Sequence, residues 1–156
     1  MDQKLQGQIR TAIAALARRR EIGLGYFVNT GNEIDLGFSE IMQEILLDPR
    51  IKVVAGYLEG IKDGFALKKL AKSAIEHNKP LVLTKVGRLG AGALAAASHT
   101  GSLAVEDGLF DAVARQYGII RARNEEQMLD ILEVMLYTSP PAGNRRSEER
   151  RVGKEC

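Results

Sequence analysis

The sequence has no tryptophan, a single cysteine, two histidines and four prolines, and aromatic side chains make up only 5% of it. Each scarcity excludes something. The lone cysteine, Cys156, is the last residue, so neither a disulfide framework nor a cysteine-built metal site is expected, which fits a reducing cytoplasm. Two histidines without a cysteine cluster make a zinc site a poor expectation. A net charge of +2 with few aromatics gives no basic stripe interleaved with rings, so nucleic acid is not an expected partner. No apolar run approaches about 18 residues, so no membrane span is expected. The first residues lack the apolar stretch of a secretory signal. No GxxxxGK[ST] loop is present, so the chain has no nucleotide cradle of that kind.

What the chain has in quantity is aliphatic. Apolar residues make up 45% of its 156 residues, enough for one domain with a core of Ile, Leu, Val and Ala. The C-terminal string "RSEERRVGKEC", Arg146 to Cys156, carries four basic and three acidic residues and no apolar period. It reads as the conceptual translation of a sequencing-library adapter and is set aside as a non-native tail. Without it the net charge is +1. The domain is placed at 1–138, a linker at 139–145 and the tail at 146–156. On this reading the natural protein continues beyond the linker.

Helix and strand signals alternate along the rest. Leu5, Ile9, Ala12, Ile13, Leu16 and Ala17 share one helical face. "LGYFVNT", Leu24 to Thr30, reads as a strand. Asp35 is placed to cap a helix bearing Phe38, Ile41, Met42, Ile45 and Leu46. "IKVVAGYL", Ile51 to Leu58, reads as a parallel strand buried on both faces. Leu67, Leu70, Ala71, Ala74 and Ile75 mark a helix ended by His77-Asn78. "LVLTKV" is a strand, Leu109 to Tyr117 a helix, and "GIIRA" a short strand. Asn124 caps a last helix that is apolar nearly all round and should leave an apolar patch. Such alternation implies βαβ units: an α/β fold with a parallel sheet and helices on both faces. No internal repeat is evident.

In open parallel sheets ligands bind beyond the carboxyl ends of the strands. The segments to inspect are therefore "NTGNEID", "LEGIKDG", "KVGRLGAG…SHTGS" and "RARNEE". His99 stands among small residues after a glycine-rich stretch, where an uncrowded neutral imidazole is a competent nucleophile. The plain alternative is a surface or helix-capping histidine. Glu59 follows a buried strand and could orient an imidazole and stabilise its positive charge; otherwise it is a solvated turn carboxylate. Lys85 and Arg88 could hold a phosphate or a coenzyme diphosphate, or be ordinary surface cations. Gly101 and Ser102 precede a helix whose free amides could bind an anion. Asn32 reads as shaping its turn, and His77 as a helix C-cap.

These segments, in this order, resemble the NDP-forming acyl-CoA synthetases, which include ADP-forming acetate–CoA ligases and succinyl-CoA synthetase. The resemblance rests on "FVNTGNEIDLGFSEIM", "VVAGYLEGIKDG", "PLVLTKVGRLGAGALAAASHTGSLA" and "DGLFDAVARQYGIIRARNEEQMLDIL", together about residues 5–135. It implies a flavodoxin-like three-layer sandwich with four or five mostly parallel strands. By match to "SHTG", His99 would carry a phosphoryl group; by match to "YLEG", Glu59 would be its hydrogen-bond partner. Phosphate and coenzyme contacts would fall on Gly7, Asn32, Lys85, Arg88, Ser98, Thr100, Gly101 and Ser102. The substrates implied are CoA or acyl-CoA, phosphate and ADP or ATP. The partners implied are a Rossmann-type CoA-binding domain and an ATP-grasp domain that holds Mg2+, within an oligomer. One departure stands out: Gln6-Gly7 occupies the place of the family's Ser-Gly step, so the serine hydroxyl is missing. The alternative function is a non-catalytic, acyl-CoA-responsive or scaffold module of a ligase-like acyltransferase.

Overall fold

The computed structural model describes residues 13–31, 33, 35–86, 107–139 and 143. Residues 13–19 are helical (α1). There follow, in chain order, α2 (Phe38–Leu47), β1 (Val54–Leu58), α3 (Gly64–Glu76), β2 (Leu81–Lys85), α4 (Asp107–Gln116), β3 (Ile120–Ala122) and α5 (Glu125–Tyr137). Among the described residues the sheet has three strands, all parallel, in the order β1-β2-β3. Val54 stands opposite Leu81, and Val82 opposite Ile120. β2 is central and every one of its residues is buried, which is why its apolar residues run together instead of alternating.

The pleat sends alternate side chains to opposite layers. Val54, Leu58, Leu81 and Leu83 meet Met42 and Leu46 of α2, Leu67 and Leu70 of α3, and Phe110 of α4. Val82 and Ala122 meet Ala17 of α1 and Met128, Leu129 and Leu132 of α5. Two helical layers therefore sandwich the sheet. Full burial of each large aliphatic side chain contributes about 1.5–3 kcal/mol relative to exposure. Close packing also fixes one glycine. Phe38 of α2 lies over Gly56 of β1, and a β-carbon added there would stand 2.5 Å from the ring's Cζ and 2.8 Å from Leu83 Cδ2.

The helix ends follow local chemistry. Asp63 caps α3, its carboxylate accepting from Phe65 N at 2.8 Å and Ala66 N at 3.0 Å. The same helix stops where Asn78 turns left-handed (φ 53°), and Asn78 N and Lys79 N donate back to Ile75 O and Ala74 O. Gly118 (φ 65°) ends α4 in the same manner. His77 is the C-cap of α3, with Nδ1 2.8 Å from Ser73 O, as the sequence suggested. Lys79 Nζ donates to Leu46 O and Asp48 O, satisfying carbonyls at the end of α2.

Three expectations require correction or narrowing. Asp35 does not cap α2. The N-cap is Gly37, and Glu40 reaches back from the first turn to accept from Gly37 N at 2.8 Å. Residues 24–30 do not join the sheet as a strand. They form no ladder among the described residues; Gly25 packs close against Ile51 and Tyr26 Oη donates to Asp48. The last helix is less bare than its composition implies: Met128, Leu129 and Leu132 are buried, and its large exposed apolar side chains are Val134 and Tyr137.

Candidate functional site

Parallel strands deliver the residues that follow them to one edge. β1 is followed by Glu59, β2 ends in Lys85, and β3 is followed by Arg123 and Asn124. Val86 N donates to Leu58 O at 2.9 Å, which extends the β1–β2 ladder past Lys85 and sets Glu59 beside it in register.

Alternation fixes the direction of Lys85, which has the parity of Leu81 and Leu83 and belongs to the face covered by α2, α3 and α4. Glu59 stands at the bend just past β1, close enough to Tyr57 to act on its phenol. Lys85 is 1% exposed, with Nζ 3.5 Å from Val86 O. It is an interior cation, not a surface one. Glu59 is half-buried.

Tyr57 lies two residues before Glu59, in β1. Burial pushes its phenol above the usual tyrosine range, and the nearby carboxylates of Glu125 and Glu59 push it the same way. This corner of the edge is therefore acidic. Sequence reasoning passed over Tyr57 and Glu125. The two-residue spacing of Tyr57 and Glu59 along a strand was the available signal.

Helix N-termini often hold anions, but three of those described here already carry a side-chain cap from within the chain. Glu40 serves the start of α2, Asp63 that of α3, and Asn124 Oδ1 accepts from Gln127 N at 2.9 Å at the start of α5. Glu125 and Glu126 add negative charge to the first turn of α5. A cavity of about 210 Å3 between the starts of α2 and α3 is lined by Glu33, Asp35, Glu40 and Asp63, with Lys62 as its cation. Lys62 Nζ donates to Glu33 O at 3.3 Å and so ties the loop after β1 to the loop before α2. These features disfavour phosphate at α2, α3 and α5.

Of the expected site residues, the structure brings Glu59 and Lys85 to adjacent strand ends. His99, Gly7, Asn32, Arg88, Ser98, Thr100, Gly101 and Ser102 lie outside the described residues, as does Gln6.

A model of the succinyl-CoA ligase-like flavodoxin domain matches residues 6–135. The chain belongs to this family. Among related proteins, an ADP-forming acetate–CoA ligase II of Archaeoglobus fulgidus is 36% identical over 135 residues, covering 86% of this chain and 20% of that protein. The alpha subunit of an ADP-forming acetate–CoA ligase II from Pyrococcus furiosus is 35% identical over 140 residues, covering 89% of this chain and 30% of the subunit. A solved structure of an acetyl-coenzyme A synthetase from Ca. Korarchaeum cryptofilum, in complex with phosphate and ADP, superposes with a TM-score of 0.78 at 30% identity, covering 87% of this chain and 30% of that one. The chain thus spans about a fifth to a third of the length of these relatives.

The succinyl-CoA ligase-like flavodoxin domain therefore has the α/β architecture that the alternation of helix and strand implied. Among its described residues no group of three or more His, Cys, Asp or Glu side chains could hold a metal ion, and no helix is long and apolar enough to cross a membrane.

Proposed function

We propose that this domain carries a phosphoryl group on His99 within an ADP-forming acyl-CoA ligase of the cytoplasm. Acyl-CoA and phosphate give an acyl phosphate and free CoA. One nitrogen of His99 attacks the phosphorus of the acyl phosphate, and the carboxylate leaves. ADP then takes the phosphoryl group and becomes ATP. The CoA and nucleotide steps belong to a Rossmann-type CoA-binding module and an ATP-grasp module with its Mg2+, as domains or subunits of the same enzyme.

The observation that carries this reading is the place of Glu59. It is a half-buried carboxylate at the carboxyl edge of a parallel sheet, where α/β folds bind their ligands. Accepting a hydrogen bond from the second imidazole nitrogen, Glu59 fixes the tautomer of His99 and stabilises the positive ring that forms as phosphorus is gained. The small residues around His99 let the loop enter two sites in turn. Phosphate is held by amides and side chains of the Gly7, Asn32, Arg88 and Ser98–Ser102 segments, since the starts of α2, α3 and α5 are taken.

Glu59→Gln in the assembled enzyme is expected to slow ATP formation by about 100- to 10,000-fold, the range set by losing a tautomer-fixing acid. Circular dichroism and thermal unfolding should stay near wild type. Unchanged turnover would remove Glu59 from the mechanism. The second reading, a non-catalytic module, is favoured by Gln6 in place of the phosphate-gripping serine; it predicts no phosphoryl label on the chain even with both partner modules supplied.

A further inference from the structure

Two helices on opposite faces of the sheet, α3 and α5, present exposed outer stripes of opposite charge. On α3, Phe65, Lys69, Lys72 and Glu76 share the exposed face, about one helical turn apart. Phe65 is 82% exposed, the most of any large apolar side chain described, and Ile75 beside the stripe is 58% exposed. Lys68 Nζ lies 5.6 Å from the ring centres of both Phe65 and Tyr117, which adds a further cation next to the phenyl ring. No ion pair within the described residues holds Lys69 or Lys72.

The outer face of α5 has the opposite character. Glu126, Asp130 and Glu133 follow one another along it, and Val134 and Tyr137, 58% and 63% exposed, end it. Arg20, at the end of α1, pairs with Asp130 and Glu133 and lies near Glu126. One guanidinium against these three carboxylates leaves the stripe acidic. Arg123 is exposed just ahead of the helix.

We infer that the outer face of α3 docks on the outer face of α5 of a second copy of this chain, with the two helices antiparallel. In that direction Phe65 meets Val134 and Tyr137, Lys69 meets Asp130, Lys72 meets Glu126, and Glu76 meets Arg123. The parallel direction keeps the lysine–carboxylate pairs but sets Phe65 against Glu126 and Tyr137 against Glu76. The apolar end contributes attraction, and the charges fix register and direction. Because α3 and α5 lie in opposite layers of the sandwich, one copy cannot join its own two faces. The contact is heterologous, so a pair of copies keeps one free face of each kind for the next. This inference does not depend on the phosphoryl chemistry proposed above.

The test is sedimentation equilibrium on the full chain, in reductant so that Cys156 cannot link copies. At low ionic strength the weight-average mass is expected to rise at least about twofold from micromolar to millimolar chain, and to fall toward that of the monomer in about 0.5 M salt. Lys72→Glu and Glu126→Lys are each expected to weaken the association by about three- to tenfold. An equal mixture of the two variants should recover it, since each then finds the opposite charge on the other. A chain that stays monomeric throughout would overturn the inference and leave these faces to a module of another kind. So would association unaffected by either substitution, or no recovery on mixing.

Discussion

Replacing His99 by alanine in the assembled enzyme is expected to lower ATP formation from acyl-CoA, phosphate and ADP by about a millionfold, the scale seen when a covalent nucleophile is removed. The imidazole has no substitute in the proposed scheme. His77, the other histidine, is spent at the C-cap of α3, with its ring bonded to Ser73 O. The substitution separates the half-reactions. Acyl-CoA and phosphate should still give acyl phosphate and CoA, because that step precedes phosphoryl transfer to the ring. Release of CoA is then retained while ATP formation is lost. ATP formation at a rate near wild type in the His99→Ala variant would rule out the phosphohistidine.

Gly56→Val is expected to be the most damaging single substitution for the fold itself among those considered. A β-carbon at this position meets Phe38 at 2.5 and 2.7 Å and Leu83 at 2.8 Å. Leu83 is fully buried in the central strand and cannot yield. Overpacking of this kind costs about 3 kcal/mol, which lowers the melting temperature by roughly 6–12 °C for a domain of this size. Phe38 is only half-buried, so it is the partner able to give way. In a double-mutant cycle with Phe38→Ala, the valine should cost at least about 1 kcal/mol less than it does alone. Strict additivity of the two substitutions would place the strain elsewhere.

Much of this architecture was written locally in the sequence. The continuous apolar run of "LVLTK" marked a strand covered on both sides, and β2 is the central one. Asn124 and His77-Asn78 bound their helices as their side-chain and backbone chemistry requires. What escaped reading depends on contacts between distant segments. Asp35 and Glu40 are both acids near the start of α2, and only the exact turn at which the helix begins decides which one caps it. "LGYFVNT" has the composition of a strand, but a ladder also needs a neighbour at hydrogen-bond distance, and it joins none of the described strands. Lys85 reads as a cation beside a loop, whereas the pleat places it in the interior. Nothing in "VAGYL" announces that Phe38 must lie over its glycine. At the site, the position of Glu59 was legible because strand ends in parallel sheets point one way; Tyr57 and Glu125 were missed because what joins them, the push of the Glu125 and Glu59 carboxylates on the Tyr57 phenol, depends on the fold.

The central claim is that phosphorus travels on one imidazole. It is tested most directly by nuclear magnetic resonance on the assembled enzyme in which this chain alone carries 15N-labelled histidine, phosphorylated by ATP or by acyl-CoA plus phosphate. With only two histidines in the chain, the spectrum is readily assigned. The account predicts that a 15N–31P coupling appears at a ring nitrogen of His99 and disappears on adding ADP, while His77 is unchanged. A coupling at His77, or phosphorus bound to the chain without coupling to either imidazole, would contradict it.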